Sequence, residues 1–299
     1  MKYKVLTYNN GVGIVTDAEL LVSLIKNITN DVKMEFIDKI THEQYDVGIW
    51  IQNFDINLLN LFKKNIFFIN EEWSGNHELN NLHLFDYVVC KTKHAKELLS
   101  GYRDTICLPF ISKNYYLDVN RDRRYVHFVG RSIQKNTELI LKQSMPFTLI
   151  DPYSMHTCPN YFTHINTYQS EADLKILLNQ HNIHVCTSLY ESWGHYLYEG
   201  LSTGNEIICS DIPAFNENLD PNLVHFIPTT VKFDFSYVFD KETIQNGYPL
   251  RKSYHIDKNM LRNIIENFEP IGKNKERCQL FDDIIKRNSN KLIEFFSNI

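Results

Sequence analysis

The sequence predicts an α/β protein made of two doubly wound domains in series, and three observations predict it. Short apolar runs alternate with segments whose apolar residues recur at helical spacing, which implies parallel sheets wrapped on both faces. A polar, charged stretch, "ISKNYYLDVNRDRR" (111–124), breaks that alternation, and the pattern then starts again. The chain has 299 residues, of which 43% are hydrophobic, enough for one large domain or two modest ones, each with its own core.

Taken in order, "YKVLTY" (3–8) reads as a strand, "NNGVG" as a turn, and "TDAELLVSLIKNI" (16–28) as a helix behind a Thr16/Asp17 cap. "KMEFID" (33–38) and "DVGIWIQ" (46–52) follow as strands, "INLLNLFKK" as a helix, "NIFFIN" (65–70) and "DYVVCKT" (86–92) as strands, and "KHAKELLS" (93–100) as a helix. Beyond the linker come a strand at "YVHFVG" (125–130), a helix from about 136 to 143 and a strand at "FTLI" (147–150). A helix from Glu171 to Asn179, a strand at "IHVCTS" (183–188) and a helix from Gly194 to Leu201 continue the series, with strands at "EIICS" (206–210) and "VHFIP" (224–228). The tail, 275–299, has helical periodicity and is expected to pack back across the domains. The boundaries that result are 1–115, 116–274 and a C-terminal helix over 275–299. A ligand is expected in the cleft between the domains.

Composition narrows the function. The net charge is −5 and the pI near 6.2, so no overall field attracts nucleic acid or an acidic membrane. Six cysteines are scattered without a Cys-x-x-Cys, which suits free thiols in a reducing compartment and predicts a cytoplasmic protein. The first residues hold too short an apolar run for a signal peptide, and no run of about eighteen apolar residues predicts an integral membrane segment. The histidine pairs His181/His184 and His77/His83 have no cysteine or carboxylate cluster at metal spacing, and no Asp-x-Asp occurs, so no metal is expected.

The segment "YESWGHYLYEG" (190–200) concentrates the chemistry. A strand ends just before it, and a helix begins near Gly194 and ends at Gly204, where glycine suits a left-handed cap. Glu191 therefore falls in the loop at the ligand edge and Glu199 more than a turn into the helix. Both carboxylates can face one crevice, with an anion-favouring helix N-terminus between them. A ligand with hydroxyls at both ends and a phosphate in the middle fits, and a nucleotide sugar has that shape. In isolation, two such glutamates are more often solvated charges or dipole partners, and Glu199 can pair with His195 one turn back.

In this setting "SLYESWGHYLYEGLSTGNEIICSDIPAFNE" (188–217) resembles the Glu-x7-Glu signature of retaining glycosyltransferases of the GT-B fold, notably glycosyltransferase family 4. That resemblance implies two Rossmann-like domains facing a cleft. It implies that Glu191 contacts the donor sugar, that Glu199 takes the ribose hydroxyls, and that Gly194 and His195 approach the donor through their backbone. In "HFVGRSIQKN" (127–136), Arg131 and Lys135 stand where the family neutralises the donor diphosphate, with a spacing one residue tighter than in many members. Preplaced cations of this kind stabilise the charge that gathers on a leaving diphosphate. The loop with Gly11, Val12 and Gly13 resembles the one that closes on the donor phosphates, and base contacts are expected around Ile165 to Tyr168. Many relatives carry a histidine near the reacting centre where this chain has Asn70, Glu71, Glu72 and Trp73, so Asn70, Glu72 and Trp73 are the acceptor-side candidates.

The expectation is a transferase that moves a sugar from a nucleotide-diphosphate donor to a hydroxyl acceptor, glycan or other, with retention and without a cofactor. Two alternatives stay open. One is a non-catalytic nucleotide-sugar or glycan binder on the same fold. The other is an NAD-dependent oxidoreductase, for which "GVGIVT" and Asp38 are the motif, although Thr16 stands where the third glycine belongs.

Overall fold

A computed structural model of the chain describes residues 1–9, 13–41, 43–130, 133–232 and 247–299. The chain forms two compact units. The first takes the described residues of 1–111, with 247–251 and 285–299; the second takes those of 112–232 and 252–284.

The first unit is built on β1 (Tyr3–Thr7), α1 (Gly13–Ile25), β2 (Val32–Phe36), β3 (Tyr45–Ile51) and β4 (Phe62–Phe68). A short α2 (Asn76–Asn80), then β5 (Tyr87–Cys90), α3 (Lys93–Leu99) and β6 (Ile106–Cys107) complete it. All six strands run parallel in the order β2-β1-β3-β4-β5-β6. β1 is buried along its whole length, and α1 covers the sheet with Ile14, Ala18, Leu21 and Ile25, a single helical face.

Two local expectations are corrected here. The helix starts at Gly13 and not behind Thr16/Asp17; Asp17 points inward and pairs with Lys91 at 2.6 Å, so a tertiary partner takes the carboxylate that capping would have used. "INLLNLFKK" is not an α-helix: Ile56–Leu61 is a 3-10 turn opened by Asp55, and Phe62 to Lys64 begin β4. Phe62 lies against Gly48, where a Cβ would come within 2.7 Å of its ring, and meets Trp50 edge-on at 5.8 Å. Strand pairing thus claims residues whose spacing reads as helical.

In the second unit, β7 (Arg123–Phe128), α4 (Thr137–Leu141), β8 (Thr148–Ile150), β9 (Thr163–Ile165) and α5 (Glu171–Asn179) come first. β10 (His181–Cys186), α6 (His195–Ser202), β11 (Glu206–Ser210), α7 (Pro213–Asn216) and β12 (His225–Ile227) follow. This sheet is also parallel, in the order β12-β11-β10-β7-β8-β9. An antiparallel pair, β13 (Thr229–Lys232) and β14 (Ser253–Ile256), and α8 (Lys258–Glu266) lie outside it.

α9 (Asn274–Ser297) ends the described chain, its residues to Ile284 grouping with the second unit and those from Ile285 with the first. Its start is held in the second unit by the fully buried Arg277. That guanidinium donates to Glu206 at 2.7 Å, to Asn274 at 2.8 Å and to the carbonyls of Gly204 and Leu223.

The strand orders locate the ligand edges. In the second sheet the chain winds outward from β7 through β8 to β9, then returns to β10 on the other side of β7 and winds the opposite way. The crevice where winding reverses, at the carboxyl ends of β7 and β10, is where doubly wound sheets bind ligands. In the first sheet the corresponding point lies between β1 and β3.

Candidate active site

Of the residues that the sequence singled out, Lys135, Glu191, Gly194, His195 and Glu199 fall at the switch point of the second sheet. Lys135 belongs to the turn after β7 and Glu191 to the loop after β10. They form an ion pair through Lys135 Nζ and Glu191 Oε1, with side chains only 15% and 7% exposed. Backbone stapling sets this pairing. Leu189 N donates to the carbonyl of Gln134 at 2.8 Å, Gln134 Nε2 donates to the carbonyl of Tyr190 at 2.9 Å, and Thr187 Oγ1 donates to the carbonyl of Lys135 at 2.9 Å. Gly130 leaves room for the lysine stem, since a Cβ there would meet Lys135 Cγ at 2.8 Å.

The pair keeps bonding capacity in reserve. Glu191 Oε1 also accepts from Ser188 Oγ at 2.8 Å, while Oε2 accepts from no described residue. An ammonium has three donors, and among the described residues Lys135 uses one of them. Its charge also lies 4.2 Å above the centre of the Tyr196 ring.

Gly194 starts α6 in the left-handed region, with φ +88°, and a Cβ there would come within 2.5 Å of the Phe215 ring. Only glycine meets both conditions. Trp193 stacks on Tyr198 at 4.2 Å and donates through Nε1 to Ser112 Oγ at 2.9 Å. Ser112 Oγ is in turn 2.9 Å from His195 Nδ1, which fixes the imidazole at the first position of the helix.

Glu199 is half-buried and lines a small cavity with Phe128, Cys186 and Tyr196, at the ends of β7 and β10. Burial raises its carboxyl pKa above the ordinary carboxylate value, against the pull of the charges on His195, Lys113 and Lys135. Burial also pushes the Cys186 thiol up to about 12 and the Tyr196 phenol well above its usual value, so both stay protonated.

Tyr168 lies between β9 and α5 and is 78% exposed. In the first unit, Asn70 follows β4; its Nδ2 donates to Gln52 at 2.9 Å, and Gln52 holds a left-handed φ of 63°. Glu72 and Trp73 are tied to Arg251, whose Nε donates to the Glu72 carbonyl and whose guanidinium covers the Trp73 ring at 4.3 Å. Gly13 opens α1, and a Cβ there would meet nothing within 4 Å. Gly11, Val12 and Arg131 lie outside the described residues.

Sequence reasoning missed Ser188, Tyr196 and Ser112. Ser188 ends a predicted strand three residues before Glu191, so turn spacing could have found it. Ser112 is 83 residues from His195 and leaves no local signal. Among the described residues no group of three or more His, Cys, Asp or Glu side chains is placed to hold a metal, and no helix is long and apolar enough to cross a membrane.

The fold with its two parallel sheets is that of GT-B glycosyltransferases. No family model matches the chain, and no curated protein matches it. Solved structures do match in fold. The Anabaena protein Alr3699/HepE, in complex with UDP, aligns over 100% of both chains at 10% identity with a TM-score of 0.68. Sucrose-phosphate synthase from Thermosynechococcus elongatus aligns over 100% of both at 13% identity and a TM-score of 0.59. The pneumococcal O-GlcNAc transferase GtfA, in complex with UDP and GlcNAc, matches 85% of this chain at 12% identity and a TM-score of 0.58. The chain spans only 56% of GtfA.

Proposed function

We propose that the protein is a glycosyltransferase that takes a sugar from a nucleotide-diphosphate donor and transfers it to a hydroxyl acceptor, with retention and without a metal. The observation that carries this reading is the Lys135–Glu191 pair at the switch point of the second sheet, each partner with unused bonding capacity. Glu191 Oε2 takes a hydroxyl of the donor sugar. The two spare N–H donors of Lys135, joined by Arg131, take the diphosphate.

As the bond to the sugar breaks, charge gathers on the leaving diphosphate, and a cation already in place stabilises that state more than the ground state. The ammonium thus takes the part that a divalent ion plays elsewhere, which is why we assign no metal or cofactor. Glu199 takes the ribose hydroxyls, and Gly194 and His195 admit the phosphates through their backbone. The loop of Gly11, Val12 and Gly13 is also assigned to the phosphates, and Asn70, Glu72 and Trp73 are assigned to the acceptor. That HepE and GtfA were solved with UDP supports a nucleotide-sugar donor here. Six free cysteines support a cytoplasmic setting.

The experiment is a thermal-shift series with UDP, GDP, ADP and their common sugar conjugates, since a ligand of the folded state raises the melting temperature as its concentration exceeds Kd. One nucleotide family is expected to shift the wild type and to lose that shift in Glu199→Ala. Glu191→Ala, folded, is expected to lose donor turnover by about a hundredfold. No shift with any nucleotide sugar sinks the reading, and binding without transfer or hydrolysis makes the protein a binder only.

A further inference from the structure

We propose that Tyr196 is a positioning residue that holds both halves of the Lys135–Glu191 pair, its ring carrying the ammonium and its hydroxyl ordering the carboxylate through Ser188. The role within catalysis rests on the glycosyltransferase reading above; the geometry does not.

The direction of every hydrogen bond in the relay follows from the donors available. Glu191, ion-paired with Lys135, is an acceptor only, so Ser188 spends its single hydroxyl hydrogen on Oε1 at 2.8 Å. Ser188 Oγ and the Tyr196 hydroxyl are 3.0 Å apart, and with the serine hydrogen committed, the tyrosine must be the donor. The order is therefore Tyr196 O–H to Ser188 O–H to Glu191 Oε1. The phenol is protonated, as the relay requires, because its burial beside Cys186 disfavours the phenolate.

The same side chain supports the other partner. Lys135 Nζ sits 4.2 Å over the face of the Tyr196 ring, where the negative quadrupole attracts the cation. One residue thus fixes where the ammonium stands and which carboxylate oxygen is occupied, and Oε2 is left for the ligand. Residue 196 gains this reach because it is the second residue of α6, directly after the left-handed turn at Gly194.

Two substitutions separate the two ends. Tyr196→Phe keeps the ring and removes the hydroxyl, as Ser188→Ala removes the next link; Tyr196→Leu removes the ring as well. In the ligand-free protein, the Lys135 ε-methylene protons are expected to show nuclear Overhauser contacts to the Tyr196 ring and a ring-current upfield shift. That shift persists in Tyr196→Phe and vanishes in Tyr196→Leu. Absence of the contact in the wild type, or an unmoved Lys135 signal in Tyr196→Leu, overturns the proposal.

Calorimetric titration with UDP and UDP-glucose then reads the two halves of the ligand. Tyr196→Phe and Ser188→Ala are expected to leave UDP affinity within twofold and to cut the extra affinity for UDP-glucose about fivefold, the worth of one hydrogen bond. Tyr196→Leu weakens UDP itself about tenfold. A tyrosine that serves packing alone lowers both affinities together with the melting temperature, and that result also overturns the proposal. If the wild type binds neither UDP nor UDP-glucose while other nucleotide sugars fail too, the glycosyltransferase reading falls, and the ligand-free spectra still decide the geometry.

Discussion

Gly194 shows how much of the site hangs on single residues. Its φ of +88° and the 2.5 Å approach of Phe215 to a would-be Cβ mean that Gly194→Ala combines backbone strain with a steric clash. We expect a loss of about 2 kcal/mol or more in denaturant unfolding. An alanine protein as stable as wild type would show that the turn relaxes freely. This glycine was legible in the sequence because a helix start after a loop, beside two acids, gave it a reason. Glu191 and Lys135 were singled out through a family resemblance, but their direct pairing was not legible. They are separated by 56 positions, and only the side-by-side packing of β7 and β10 brings them together. The tyrosine beneath Lys135 was not legible, for aromatic rings carry no mark of which atom will lie on their face.

At the scale of elements, the start of α9 depends on a cation with no access to solvent. Arg277 binds Glu206 from β11, the carbonyl that ends the turn at Gly204, and the Leu223 carbonyl. Arg277→Ala leaves the Glu206 carboxylate buried without its main cation, and we expect about 3–5 kcal/mol of destabilisation. Despite the cost of burial, the nearby His225 ring and the bonds from Gly272 and Arg277 lower the Glu206 pKa to about 2. The folded value lies below the unfolded one, so this stabilisation is complete above pH 4.5 and is lost as pH falls toward 2. Glu206→Gln is expected to flatten that part of the stability profile; an unchanged slope would assign the acid sensitivity elsewhere, for instance to Glu35, which is also held near 2. Elements with a long amphipathic period, such as α9 and α5, were legible in the sequence almost to the residue. The 3-10 turn at Ile56–Leu61 and the hairpin of β13 and β14 were not, because short segments take their form from the neighbours they pair with.

For the whole molecule, the second unit carries a distinct acid weakness. His127, His181 and His184 are buried there, and desolvation lowers them to about 4, 4 and 3. Below pH 6.5 the unfolded chain takes up protons at these positions while the folded chain does not. Stability therefore falls from pH 6.5 downward, by up to about 4 kcal/mol per pH unit if all three act together. Unfolding midpoints measured from pH 7 to 5 test this, and a flat profile would mean that the three rings are charged or hydrated in the native state. The overall architecture was legible because alternating strands and helices leave few alternatives. The strand orders that locate the switch point were not, since they depend on which edge the chain crosses to.

The division of α9 between the units has a further consequence for how the protein is made. Tyr3 hydrogen-bonds the Phe296 carbonyl at 2.8 Å, Tyr87 meets Phe295 edge-on, and Asn288 Nδ2 donates to the Phe110 carbonyl at 2.7 Å. The sheet of the first unit is thus completed by residues that lie far downstream of its strands in the sequence. Vectorial synthesis delivers a sheet that must wait, the apolar residues under α9 uncovered, until α9 has been made, whereas most domains close as they emerge. Expressed alone, the segment 1–111 is expected to aggregate, and adding 285–299 in trans to restore its solubility.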